Sequence, residues 1–468
     1  MNHSVNVSQQ ATGVSTPSVA ESGLPFVIGI APLQMAASPA AVGTPVVCTS
    51  WNEAVEKFGY SDDWGKYTLC EMMYSHFINF AQQPVVFVNL LAPSTMKTSE
   101  TNQSVAVSNH KAKVTGDAIA STIVAKLTAE GSALTEDTDY SVYYEDGSLY
   151  VEVLSGGSAY SASSLILAYD KIVTTSITAA AVATAVEKVD LCITQLGIIP
   201  DLLLAPGFSD QATVAAALAA KAASISGLCT AKALIDINAS SVTTYSAAIT
   251  AKGTNGFTAS EEVVCWPMAR LGTKIFHMSV IAAGRMASTD TDNGGIPYES
   301  PSNKSIPVDS LCLSDGTDVQ LTLAQANQLN AAGIVTGLNF MNGWVLWGNY
   351  TGAFPSSADV KDYFIPVSRM FGWVGNTLVK TFWSKLDSPM NRRLVDSILD
   401  TCNIWLNGLV GQGYLLGARV EMIDAENPVT NLMAGIIKLH VYITPPSPMQ
   451  ELDFVLEYDA SYVEAAFQ

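Results

Sequence analysis

The side chains able to do chemistry are few, and their spacing suits none of the common mechanisms. The five histidines, His3, His76, His110, His277 and His440, lie far apart. None belongs to an H-E-x-x-H or H-x-x-E-H pattern, which would hold zinc beside a general base. "TDTDN" (Thr289 to Asn293) offers oxygen ligands of the kind calcium takes, but lacks the loop length and closing glutamate of an EF-hand. Asp62-Asp63 and Glu261-Glu262 are adjacent in sequence and need not converge on a substrate. "GQGYLLG" (Gly411 to Gly417) is one residue out of register for G-x-G-x-x-G and follows a helix, so it reads as a helix stop. Neither G-x-x-x-x-G-K-[ST] nor G-x-S-x-G occurs. The seven cysteines are scattered singly, which suits buried free thiols in a reducing cytoplasm rather than a zinc site or a disulfide framework. The expectation is a non-enzyme with no cofactor and no metal.

Charge narrows the partners. A net charge of −19 argues against direct nucleic-acid binding, which needs clustered Lys and Arg. Every arginine lies at or beyond Arg270, and Asp359 to Arg393 is a small cationic island containing Lys361, Arg369, Lys385, Arg392 and Arg393. Charged residues make up only 14% of the chain, which in so long a protein hints at extensive subunit contacts. "MNHSVNVSQQATGVSTPS" lacks the basic and apolar regions of a secretion signal, and no apolar run is long enough for a stable membrane insertion.

The elements that would position these residues are an α/β alternation interrupted by an all-β segment. "PFVIGIAP", "PVVCTSWNEAVEKFG" and "PVVFVNLLAP" read as strand, strand–helix and strand, with Ser50 capping the helix. From Ser94 to Ala180 the chain is Ser/Thr/Gly/Tyr-rich with short alternating runs and an Asp146-Gly147 hairpin signal. The α/β pattern then resumes, Ser288 to Gly316 reads as a long surface loop, and two strong helices follow, the first interrupted near Pro366. Near the end, "GIIKLHVYITPPSPMQELDFVLEYD" reads as two strands. Ile437, Leu439 and Val441 share one face of the first; Leu452, Phe454 and Leu456 share one face of the second, beside an acidic stripe.

The domain reading is α/β (α+β) multidomain. Residues 1–20 form an N-terminal arm, 21–93 and 181–340 a discontinuous α/β domain, and 94–180 an inserted β-sandwich-like domain. Residues 341–459 form a C-terminal α/β domain and 460–468 a C-terminal arm.

The assembled segments resemble one family, the contractile tail sheath proteins of bacteriophages and related contractile injection particles. "LNAAGIVTGLNFMNGWVLWGNYT" is similar to that family's Leu-Asn-x-x-Gly-Ile segment, apolar strand and Trp-Gly-Asn-Arg-Thr turn. Trp347, Gly348, Asn349 and Thr351 match, and Tyr350 stands where the arginine is usual. "GARVEMIDAENPVTNLMAGIIKLHVYITPPSPMQELDFVLEYD" resembles the family's closing strands.

The resemblance implies a subunit that polymerises helically around a rigid inner tail tube protein, with baseplate and tail terminator proteins as further partners, in a virion tail assembled in the host cytoplasm. It implies arms that add strands to neighbours, through Val5 and Val7 at one end and Tyr462, Val463 and Phe467 at the other. Ile437, Leu439, Val441, Leu452, Phe454 and Leu456 become acceptor-strand residues, and Lys361, Arg369, Lys385, Arg392 and Arg393 candidates to face the tube. A headless bacteriocin-like or secretion particle is the alternative within this class; an extracellular β-rich adhesin or surface-layer protein is the alternative outside it.

Overall fold

The structure, a computed structural model, describes residues 17–341 and 343–467. The first stretch gives strands β1 (Pro25–Gly29) and β2 (Val46–Cys48), helices α1 (Trp51–Phe58) and α2 (Thr68–Met73), and β3 (Val85–Asn89). The expected cap forms: Ser50 accepts from the Glu53 amide, and Glu53 reaches back to the Thr49 amide at 2.8 Å. Gly59 ends α1 at φ 72°, where a Cβ would come within 2.3 Å of the Pro32 carbonyl oxygen.

The inserted segment forms β4 (Lys97–Ser108), β5 (Lys111–Thr115), β6 (Val124–Lys126), β7 (Tyr140–Glu145), β8 (Ser148–Val153) and β9 (Ser164–Ile172). They make one antiparallel sheet in the order β6-β9-β4-β5-β8-β7. Asp146 and Gly147 both adopt positive φ, as a tight hairpin turn between right-twisted strands requires. β4 pairs with β9 along most of its length and with β5 at its end. The sheet therefore folds back on itself around a private core that includes Ala112, Val114, Leu149, Val151, Leu165 and Leu167.

Beyond the insertion come α3 (Ala179–Ala185), β10 (Leu202–Leu204), α4 (Ala212–Ala223), β11 (Lys232–Asp236), α5 (Tyr245–Asn255) and β12 (Glu262–Cys265). They are followed by β13 (Met268–Leu271), β14 (Lys274–His277), α6 (Met278–Asp292), β15 (Lys304–Ser305), β16 (Ser310–Cys312) and β17 (Asp318–Val319). α7 (Leu323–Ala331), β18 (Ile334–Asn339) and β19 (Trp344–Trp347) complete the domain. The main sheet runs β15-β19-β18-β12-β11-β10-β1-β3-β2. Its centre is parallel and buried, which is why those strands read as continuous apolar runs.

Two expectations need correction here. Ser288 to Gly316 is not one surface loop, because α6 continues to Asp292 and buries Thr289 and Asp290. The 340/341 boundary falls at the tip of the β18–β19 hairpin, which belongs to the main sheet because β18 pairs with β12. Neither pairing is visible to a local reading of the sequence.

The C-terminal unit contains α8 (Val360–Tyr363), α9 (Ile365–Phe382), α10 (Arg392–Gly411), β20 (Gly417–Glu421), α11 (Val429–Met433), β21 (His440–Thr444) and α12 (Ser461–Ala466). Pro366 sits in the first turn of α9, where its missing amide costs no helical bond, so the interruption falls just before it. α9, α10, β20 and β21 enclose Met370, Trp373, Val374, Cys402, Leu406 and Leu409, and Ala20 joins that core. Ala20 donates to the Thr377 hydroxyl at 3.1 Å, and the Trp373 indole donates to the Ala20 carbonyl at 3.1 Å. The last residues of the expected N-terminal arm are thus packed along α9, while Val5 and Val7 lie outside the described residues.

Candidate functional site

The end of the chain leaves an incomplete sheet. β21 pairs antiparallel with β20, placing Arg419 opposite Tyr442 and Val420 opposite Val441. Ala418, Val420, Leu439, Val441 and Ile443 face the core of α9 and α10, and the other face carries Arg419 over the Tyr442 ring at 3.9 Å. Ile437 and Leu439 precede the strand rather than lie in it. The expected pairing of two terminal strands does not form: Leu452 to Tyr458 has no strand partner among the described residues, and Phe454 and Leu456 are 79% and 95% exposed. The prolines explain this. Pro446 to Glu451 runs along a groove of about 970 Å³ lined by Tyr298, Trp347, Tyr350 and Phe354, which carries the chain away from β21.

Beyond that segment the expected extended arm is a short exposed helix, α12, which holds Tyr462 and Val463. Asp459 starts it by accepting from the Ser461 amide at 2.9 Å. Tyr462 and Phe467 are exposed.

The cationic island divides. Lys385, Arg392 and Arg393 are exposed around the α9–α10 turn, beside the exposed Trp383 and Leu386. Lys361 is exposed and pairs with Asp359 at 2.8 Å, and Arg392 pairs with Asp396 at 2.8 Å. Arg369 is only 5% exposed and both its terminal nitrogens are held by Asp290 and Asp201, so it cannot face a partner. Burial would lower its guanidinium, but the two carboxylates hold it raised. This also disposes of Asp290 in "TDTDN" as a calcium ligand, since it is spent on Arg369.

Trp347, Gly348, Asn349 and Thr351 form a structural turn that joins the main sheet to α9. The Trp347 indole donates to Asn327 at 3.0 Å, the Asn349 carbonyl accepts from the Ile365 amide at 2.9 Å, and Thr351 donates to the Asp362 carbonyl at 2.8 Å. Gly348 has φ 126°, and a Cβ there would meet the Val335 backbone at 3.0 Å. Tyr350 stacks on Phe354 with centroids 3.9 Å apart and on Phe364 at 5.3 Å. Aromatic packing fills the position of the usual arginine.

Open α/β sheets usually bind ligands outside the carboxyl ends of their strands. Here a cavity of about 550 Å³ lies in that place, lined by residues that include Trp64, Glu71, Ser209, Asp210, Asp236 and His277. Its polar groups are committed to one another. Ser209 and Ser279 both donate to Asp236, at 3.0 and 2.5 Å, and His277 Nδ1 lies 2.8 Å from Glu71. Both hydroxyls are held by one buried carboxylate, which ties the end of β11 to the start of α6 and to the loop before α4. The described cysteines are buried, and burial pushes the Cys48 and Cys70 thiols up to about 12, far from thiolate chemistry. Among the described residues no group of His, Cys, Asp and Glu is placed to hold a metal, and no helix is long and apolar enough to cross a membrane.

Two groups escaped the sequence reading. Asp201 and Asp290 are recognisable only once Arg369 is seen to be buried. Asn403, facing β20 from α10, is an amide on the inner side of an amphipathic helix, and that position is the signal that could have found it.

No protein-family model matches the chain. A tail sheath protein of Burkholderia phage BcepMu is 26% identical over 493 residues, covering 98% of this chain and 97% of that protein. A major tail sheath protein of Serratia phage KSP20 is 28% identical over 145 residues, 31% of this chain and 35% of that one. The helical sheath of the anti-feeding prophage in its contracted state matches with TM-score 0.59 at 16% identity, over 97% of this chain and 99% of its own. The contracted sheath complex PVC of an extracellular contractile injection system matches with TM-score 0.58 at 14% identity, over 99% of this chain and 100% of its own. At such identities the solved structures speak to the fold, and the sequence relatives carry the kinship. With a tail sheath relative matched almost end to end and sheath folds matched over the same span, the chain is similar to contractile tail sheath proteins in sequence and in fold.

Proposed function

We propose that this protein is the structural subunit of a contractile tail sheath, polymerising helically around a rigid inner tube. The observation that carries the reading is the alternating Leu452 to Tyr458 segment, unpaired among the described residues, and a sheet that has two strands among them, in a chain similar to a tail sheath protein along 98% of its length. A lone strand pair is marginal in water and an exposed apolar strand is a liability, so each is the other's remedy when copies meet. Strand addition uses main-chain hydrogen bonds, and a head-to-tail contact that does not close generates a helix. Contraction is then a rigid-body change from a metastable extended packing to a tighter one, with the donated strands keeping neighbours tethered while the tube is driven through an envelope. Lys361, Lys385, Arg392 and Arg393 are the cations left to meet an acidic tube, and baseplate and terminator proteins would cap the polymer in a virion tail.

Electron microscopy of the purified protein and of producing-cell lysates tests this. Hollow striated cylinders support it, and a protein that stays monomeric under all assembly conditions refutes it. A headless particle is the second reading, favoured by the fold neighbours from the anti-feeding prophage and the extracellular injection system. Cylinders that never carry a filled capsid in lysates would select it.

A further inference from the structure

Off the amino ends of β10, β11 and β12, a cleft of about 370 Å³ opens between the main sheet and α9. On its inner wall Lys232, the first residue of β11, is only 6% exposed. Its Nζ donates to the Ser260 carbonyl at 2.8 Å and to the Ser368 hydroxyl at 2.6 Å, and among the described residues it has no ion-pair partner. An ammonium carries three protons, so one is left over. Ser368, having accepted from Lys232, keeps its own hydroxyl proton to donate. The next residue along α9, Arg369, lines the same cleft; its terminal nitrogens are taken, but its Nε is buried with no partner among the described residues. Three unused donors thus line one cleft beside the first turns of α9, whose dipole favours negative charge. An unpaired buried charge is costly, and burial lowers the Lys232 ammonium to about 8. The carboxylates nearby are already used. Asp201 and Asp290 hold Arg369, Asp362 pairs with Lys361, and Glu261 accepts the Ser260 hydroxyl at 2.8 Å.

We infer that this cleft is an oxyanion site, which takes the singly charged carboxylate or monobasic phosphate of a small solute on Lys232 Nζ, Ser368 Oγ and Arg369 Nε. One unmatched positive charge calls for one negative charge, and the volume leaves room for such an anion with a few waters. Leu228, Gly372 and Gly375 line the approach, and a Cβ at Gly375 would meet nothing within 4 Å, so the way in past α9 is open. Glu261 and Asp362, both partly exposed, also line the cleft. With a net charge of −19 behind them they repel a polyanion or an acidic protein segment far more than a small monoanion. Lys232 belongs to the α/β domain, whereas Ser368 and Arg369 belong to the C-terminal unit. A bound anion therefore bridges the two units, and its occupancy sets how firmly they are joined. Such a site serves the single chain and needs no neighbour.

The test titrates the full chain with sodium acetate and, separately, with sodium phosphate at pH 6, where phosphate is largely monobasic, with chloride holding the ionic strength constant. The melting midpoint should rise saturably with at least one of them, and the one that responds names the solute chemistry. Lys232→Met keeps the reach of the side chain and removes the lone charge, so without anion it should melt no lower than the parent. It should also lose the saturable rise, keeping only the general salt effect common to both proteins. Ser368→Ala, which removes one donor, should weaken the response about tenfold. A second readout follows the amine itself. Acetylation of Lys232 by an activated ester at pH 8, located by mass spectrometry, should slow severalfold in the responding anion, while acetylation of the exposed Lys385 stays constant. Equal midpoint shifts in the parent and Lys232→Met, or acetylation of Lys232 indifferent to both anions, overturns the site. So does a Lys232 that is never acetylated without anion, because the cleft is then closed to solutes. If Lys232→Met fails to fold, the acetylation rates decide alone.

Discussion

Arg369 on α9 grips Asp290 at the end of α6 with both terminal nitrogens, Nη1 at 3.0 Å and Nη2 at 2.5 Å, and Nη2 also reaches Asp201 at 2.6 Å. Asp290 in turn accepts the Ser22 hydroxyl at 2.5 Å, and Asp201 accepts the Leu24 amide at 2.7 Å. One buried guanidinium thus joins the C-terminal unit, the α/β domain and the segment leading into β1. Removing one partner strands the other as an uncompensated buried charge, which costs about 3–5 kcal/mol. Arg369→Met and Asp290→Asn should each lower unfolding stability in urea by that order. The double variant should fall well short of the sum, because it leaves fewer stranded charges. Simple additivity would mean the two residues act separately.

The exposed cations behave differently. Arg392 and Arg393 open α10 at the surface, and Arg392 has only the exposed Asp396 as a partner. An exposed pair of this kind contributes about 0–1 kcal/mol, so Arg392→Glu with Arg393→Glu should leave the melting curve nearly unchanged. If this turn meets an acidic tube, the same change should sharply reduce co-sedimentation with tube protein at low salt, and raised salt should weaken the parent in the same way. Undiminished co-sedimentation at low salt would remove these residues from the tube interface.

Local chemistry was legible, and long-range pairing was not. Ser50 and Gly59 bound α1, and Asp146-Gly147 turns the hairpin, because caps and tight turns are decided within a few residues. Arg369 looked like a surface cation and Asp290 like part of a polar loop, since their partnership spans 79 residues. The alternation of Leu452 to Tyr458 predicts a strand, yet the segment forms none within the chain and leaves Phe454 and Leu456 exposed. Period-two burial says that a strand needs a sheet, not which chain supplies it. Asn403 lies on the apolar stripe of α10 between Leu399 and Leu406, so its place is legible in the helical pattern, but the strand it bonds to is not.

His277 makes stability depend on pH in a definite direction. Burial alone would lower its imidazole, but Glu71 from α2, with Asp236 at the end of β11 and Asp210 before α4, raises it to about 9. An unfolded histidine titrates near 6.5. A raised folded value means that the contribution is fully present below about 6.5 and disappears as pH rises through 9. Burial also raises Asp236 and Asp210, which acts in the same direction, since the fold favours their protonated forms. The parent should exceed His277→Gln in unfolding stability by roughly 3 kcal/mol at pH 6, with the gap nearly closed at pH 9.5. A gap that widens with pH would mean that the imidazole is neutral in the fold.

The inserted β module should be removable as a unit. Its first and last residues face each other, Lys97 opposite Ile172, and the Val173 amide donates to the Met96 carbonyl at 3.0 Å, so a two-residue turn can reconnect the chain. Most of it packs around a separate core, although Ile172 at its end is buried in the α/β core and Ile119 packs against that core. The attachment is local: Asp117 accepts from Tyr67 and Lys66, both at 2.8 Å, and the Gly116 carbonyl accepts from Gln34 at 3.1 Å. Replacing residues 97–172 with Asn-Gly leaves the Tyr67 hydroxyl without its carboxylate, at a cost of about 1–3 kcal/mol, and removes the buried Ile172, at a further cost of about 2–5 kcal/mol, while the strands of the main sheet stay in place. The excised chain should unfold cooperatively at a lower midpoint and still polymerise, because Val441, Ile443 and Leu452 to Tyr458 all lie in the other unit. A folded, monomeric product would instead assign the module a direct part in holding subunits together.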